Sequence, residues 1–142
     1  VLIEVPFRGP ADLFFALCER AEAQGLRIVV AHPERTEAIL AEPGLAEMAA
    51  RGWLLQVNEG SLTGWSGPER EALGWQLLAD GTAALVASDG HRLVARDAQP
   101  VRPPHLDEAY ARAERRFGPA IARLFDGSAL GLDVVAEELA AS

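Results

Sequence analysis

A chain of 142 residues, 49% of them hydrophobic, can bury one good core, so it reads as one domain or part of one. The formal charge is −8, all 13 basic residues are arginine, and such an acidic surface repels phosphate backbones and argues against nucleic-acid binding. No apolar run approaches the roughly 20 residues of a membrane span and no basic-then-apolar leader precedes the first strand, so a cytoplasmic location without membrane insertion is expected. Cys18 is the one cysteine. It falls in a helical stretch, reads as a small buried apolar residue, and leaves no disulfide framework or thiolate zinc site.

Val1 to Val5 is apolar and β-branched, which suits a buried strand, and PFRGP breaks it. Ala11 to Gln24 places Leu13, Phe14, Leu17 and Ala21 on one helical face, with Gly25 as the stop. Leu26 to Ala31 is the second strand, ended by Pro33, and short helices are expected over Thr36 to Leu40 and Pro43 to Arg51. Trp53 to Val57 is the third strand. Asn58 to Gly67, rich in glycine and small polar residues, reads as a loop. Pro68 to Asp80 reads as a helix that turns Leu73, Leu77 and Leu78 to the core, and Thr82 to Ala87 as the fourth strand. Ser88 to Pro104, with three prolines, reads as a long loop over the strand ends. His105, a helix-start residue, opens a helical tail running to Ser142, broken near Gly118, Pro119 and Gly127.

Strand and helix alternate four times, which defines an α/β chain with about four parallel strands and crossover helices. The chain opens inside a strand without a methionine, and four parallel strands leave two exposed sheet edges, so a preceding portion is expected. Those edges are compatible with homo-oligomer formation.

Each strand ends in a residue able to bind a metal. Glu4, His32, Asn58 and Asp89 stand 28, 26 and 31 residues apart (4 to 32, 32 to 58, 58 to 89), about the length of a strand, helix and return strand. Parallel α/β proteins collect their chemistry at the carboxyl ends of their strands. Asp89 and His91, two apart with Gly90 between, can point to one side of an extended strand end. Glu4 sits where burial is expected, so it needs a cation: an arginine or a metal. Alone, His32 would more often be a buried histidine donating to a backbone carbonyl. Together these nitrogen and oxygen donors suit Mn, Zn or Fe. Arg35 and Arg96 follow His32 and His91 closely, and beside a metal their guanidinium forks would grip a phosphate. Phosphoester hydrolysis is the chemistry this combination indicates.

AHPER (31–35), QVNEGSLTG (56–64) and SDGH (88–91) followed by Arg96 resemble the polymerase and histidinol phosphatase (PHP) superfamily. They look most like its bacterial manganese-dependent protein-tyrosine phosphatases, which regulate capsule and exopolysaccharide synthesis. VLIEVPF resembles that branch's strand ending in a ligand glutamate. The resemblance implies a single partial PHP domain over 1–142, with strands and helices of a distorted (β/α)7 barrel over 1–104 and a helical tail over 105–142. It implies up to three Mn ions, with Glu4 and His32 binding one, Asp89 a second and His91 a third, and Arg35 and Arg96 as the phosphate-holding catalytic arginines. It further implies metal-activated hydroxide as nucleophile and a phosphotyrosine protein as partner, a bacterial tyrosine kinase of polysaccharide export by analogy. The family's upstream His-x-His pair, Asp, His and bridging glutamate have no counterpart here. Two alternatives therefore stand beside it: a histidinol-phosphatase-like enzyme, and a non-catalytic metal-binding or interaction fragment. No role follows for Asn58, Glu59 or Ser61 beyond shaping a pocket rim, and Glu59 reads as solvated.

Overall fold

The computed structural model describes residues 1–6, 11–36, 44–90 and 104–131. Its strands are β1 (Leu2–Glu4), β2 (Val29–Ala31), β3 (Leu54–Asn58) and β4 (Ala83–Ala87), and its helices α1 (Ala11–Glu22), α2 (Gly44–Ala50), α3 (Glu59–Leu62), α4 (Pro68–Ala79) and α5 (Leu106–Phe117). Short 3-10 segments cover Pro33–Arg35, Pro119–Leu124 and Ser128–Leu130. Among the described residues the strands form one sheet in the order β1-β2-β3-β4, every neighbouring pair parallel. Sequential order with parallel pairing is what consecutive right-handed β/α units produce, and it stacks the strand carboxyl ends side by side.

The central strands are buried on both faces, as parallel strands covered by helices must be. Val30, Leu55 and Val57 are fully buried, with Phe14, Cys18 and Met48 from α1 and α2, and Leu62, Leu77, Ala109 and Ala113 from α3, α4 and α5. Each large apolar side chain removed from water there stabilises the fold by about 1.5–3 kcal/mol. Gly74 of α4 is buried because a Cβ at that position would meet Ser61 Cβ and Leu62 Cδ2, each at 3.3 Å. The missing side chain lets α4 lie against the exit of β3.

Three expectations are corrected. Leu13 and Leu17 are exposed, at 73% and 54%, while Phe14 and Cys18 are the buried residues of α1. Apolar residues occur on several sides of this helix, so periodicity alone selected the wrong neighbours of Phe14. Leu73 is only partly buried, and Gly74, with Leu77 and Leu78, takes the buried face of this helix. The stretch after β3 is not an open loop: α3 forms one helical turn, and Glu59, Gly60, Ser61 and Leu62 are all buried. Asn58 caps it, its Oδ1 accepting the Gly60 N–H at 2.8 Å.

The remaining boundaries stay or shift by no more than three residues, with β3 extending one residue further to Asn58, within the normal variation of element ends. Thr36 has extended backbone and ends the 3-10 turn. The expected helix beyond it, the long loop after Gly90, and the tail past Gly131 lie outside the described residues. His105 does precede a helix, at the N-cap position of α5.

Candidate metal and phosphate centre

Register places the candidate site residues at one end of the sheet. Glu4 pairs with Ala31, Ala31 with Gln56, and Asn58 with Ala87, so His32 and Asp89 emerge just beyond the paired rows. The His32 backbone N–H is locked by donating to Gln56 O at 2.7 Å and to Gln56 Oε1 at 3.2 Å. Among the described residues, His32 and Asp89 are the non-glycine residues with positive φ, 33° and 52°. Left-handed backbone costs a residue with a Cβ roughly 1–2 kcal/mol, and such strain persists only where surrounding structure enforces it. Here it marks two of the residues that sequence alone had singled out.

The strain re-aims side chains. His32 Nε2 lies 3.4 Å from Glu4 Oε1 and 3.7 Å from Asp89 Oδ2. Arg35 Nη1 donates to Asp89 Oδ2 at 2.8 Å. Four residues from three strand exits therefore converge: Glu4, His32, Arg35 and Asp89. Glu4, expected to be buried, is instead more than half exposed, with its side chain at 56%. A three-residue edge strand leaves its carboxyl end open to water, so the desolvation argument for a counter-cation does not apply to it. His91 and Arg96 lie outside the described residues.

His32 is itself almost fully buried, at 2% exposure. Burial and then the Arg35 charge hold its pKa below the usual imidazole value, against the opposing pull of Asp89 and Glu4. The neutral imidazole that results is the form that binds a metal. Among the described residues no three His, Cys, Asp or Glu side chains are close enough to hold a metal ion by themselves. Their chemistry nonetheless fits one: an uncharged nitrogen donor facing two carboxylates is a mixed set suited to Mn, Zn or Fe, to be completed by further ligands.

Behind these residues lies one that sequence reasoning missed. Glu34, in the 3-10 turn between His32 and Arg35, is fully buried. Its Oε1 accepts from the Asn58 N–H and from Ser61 Oγ, each at 2.8 Å. Burial raises its pKa, and the bonds from Asn58 and Ser61 oppose that rise. Asn58, Glu59 and Ser61 are thus wall rather than rim, and Glu59, read as solvated, is fully buried. The only signal in the sequence was the pairing of two polar motifs, AHPER and NEGS, at successive strand exits.

A sheet of parallel strands whose carboxyl ends gather histidine, carboxylate and arginine defines the class: a parallel α/β chain with a polar, charged cluster at the strand exits. A family model described as capsular polysaccharide synthesis, CpsB/CapC, matches residues 1–126. The chain belongs to that family. It is 32% identical over 123 residues to the tyrosine-protein phosphatase YwqE of Bacillus subtilis (strain 168), covering 83% of this chain and 44% of the relative. A structure from work on YwqE of Bacillus subtilis and CpsB of Streptococcus pneumoniae, described as unique metal-dependent tyrosine phosphatases, matches with a TM-score of 0.69 and 31% identity. That match covers 83% of this chain and 46% of the other, so this chain spans less than half the length of the relatives it matches.

Proposed function

We propose that the complete protein is a metal-dependent phosphomonoester hydrolase acting on phosphotyrosine in proteins, in the service of capsule or exopolysaccharide synthesis. The observation that carries the reading is the convergence of Glu4, His32 and Asp89, with Arg35 ion-paired to Asp89, at the strand exits. Glu4, His32 and Asp89, with His91, are the residues that would hold divalent metal, Mn by family likeness. Such an ion supplies Lewis-acid charge and lowers the pKa of nearby water into the neutral range.

The chain's own residues do the rest. The buried, neutral His32 offers a nitrogen lone pair at a fixed place, because Gln56 anchors its backbone. Arg35 is held at the same patch by Asp89, and its guanidinium is proposed to grip a phosphate and stabilise charge on phosphoryl oxygens. Arg96 is proposed as the second arm of that clamp. A phenolate of pKa about 10 departs with less acid assistance than an alkoxide, which favours tyrosine phosphate. Cys18 takes no part: it is buried within the core, and burial pushes its thiol up to about 11. The matching partner is a phosphotyrosine protein, a tyrosine kinase of polysaccharide export by family analogy. Among the described residues no helix is long and apolar enough to cross a membrane, and we place the protein in the cytoplasm with that kinase's intracellular tail.

The test is hydrolysis by the complete protein of a phosphotyrosine peptide and of histidinol phosphate, with Mn and after chelation. The reading expects Mn-dependent turnover with the peptide preferred. A preference for histidinol phosphate would move the substrate to a small phosphomonoester, and absence of metal-dependent turnover on both would overturn the enzyme assignment.

A further inference from the structure

We infer that Glu34 is a positioning residue, which pins the turn carrying His32 and Arg35 to the exit of β3 through Asn58 and Ser61. The inference rests on the phosphatase reading for its activity readout and on geometry for the rest. Glu34 occupies the middle of the 3-10 turn whose N-cap is His32 and whose last residue is Arg35. The Arg35 N–H donates to His32 O at 3.0 Å, so the turn moves as one piece and carries both functional side chains with it.

One oxygen of Glu34 receives both a backbone and a side-chain donor from the next strand exit, at 2.8 Å each. The donating segment is itself held in place: Asn58 caps α3, and α4 closes on Ser61 where Gly74 lacks a side chain. An apolar side chain of similar volume would avoid the cost of desolvating an acid but would leave the buried Asn58 N–H and Ser61 hydroxyl without their acceptor, so the carboxyl serves both stability and direction. The second oxygen, Oε2, is buried without a hydrogen-bond partner among the described residues, so the acid is retained at a further cost. What the carboxyl does that an apolar group cannot is accept two directed bonds. Those bonds fix the rotation of a turn whose first residue, His32, sits in left-handed backbone that needs outside enforcement.

The experiment compares Glu34→Ala, Glu34→Gln and Ser61→Ala with the unaltered complete protein. It measures Mn affinity by calorimetry, kcat and KM on a phosphotyrosine peptide, and Tm. Glu34→Ala should weaken Mn binding and lower kcat by about 10–100-fold, the usual effect of removing support behind a ligand. Glu34→Gln keeps an acceptor oxygen and should hold both quantities within about threefold. Ser61→Ala removes one of the two bonds and should lower kcat about fivefold with KM unchanged. A fall in Tm with unchanged Mn affinity and kcat would show a merely structural residue and overturn the inference. Should Glu34→Ala fail to fold, Ser61→Ala decides, and unchanged kcat and Mn affinity there overturn it. If the unaltered protein hydrolyses no phosphoester, the phosphatase reading fails by itself. The Mn affinities of the variants then still test whether Glu34 sets the position of His32.

Discussion

The two ends of the parallel sheet are built from different materials. At the carboxyl ends, buried polar groups are plentiful: His32, Glu34, Gln56, Asn58, Glu59 and Ser61 are all nearly or fully inaccessible, and two backbones are left-handed. At the amino ends the packing is aromatic. Phe14 and Phe15 meet Trp53, ring centroids 6.1 and 5.6 Å away, and Arg51 lies 5.3 Å over the same indole while pairing with Glu19 and Glu47. The difference teaches where each kind of energy goes. One end stores strain and desolvation cost in order to aim side chains, and the other recovers stability through burial, rings and a cation over a ring.

Substitutions should separate the two ends, and the largest effects belong to the first. His32→Ala removes the nitrogen donor at the centre of the convergence. Metal-dependent turnover by the complete protein should fall more than about 100-fold, beyond the effect of losing a supporting residue, while circular dichroism stays that of a folded chain. Arg35→Ala should lower kcat/KM about 100-fold, as loss of one charge-stabilising donor typically does. Its Tm should barely move, since the Arg35–Asp89 pair is partly solvated and such pairs contribute little.

Phe14→Ala inverts the pattern. It should cost about 3–5 kcal/mol in denaturant unfolding, yet leave kcat per folded molecule unchanged. Loss of turnover without loss of stability in that variant would dissolve the distinction between the ends.

The smallest effect is expected at Cys18, which belongs to the stability end. Its thiol pKa is raised from 9.0 in an open chain to about 11 in the fold, chiefly by burial and then by Glu22. The folded state therefore holds the proton more tightly, and this contribution to stability is complete below pH 9 and lost as pH rises through about 11. A disulfide reagent at pH 8 should leave Cys18 unmodified until denaturant is added, and Cys18→Ser should retain full turnover.

The same contrast explains what was legible in the sequence. Apolar runs that stop at His32 and Asp89 announce parallel strands and the residues at their ends, because a strand buried on both faces is mainly apolar until its exit. Glu34 was not legible. In AHPER it looks like a surface charge, and only contact with Asn58 and Ser61, distant in sequence, makes it a buried acceptor. The one-turn helix α3 is too short to show a period, so its buried residues passed for a loop. On α1 the exposed Leu13 and Leu17 carried the same apolar signal as the buried Phe14, and composition cannot rank sides of a helix that is apolar on more than one.

The most direct test of the central claim is anomalous diffraction from crystals of the complete protein grown with Mn. The account predicts a manganese peak within bonding distance of His32 Nε2 and of a Glu4 or Asp89 carboxylate, at the strand exits. Manganese bound elsewhere in an active protein, with His32 unliganded, would contradict it.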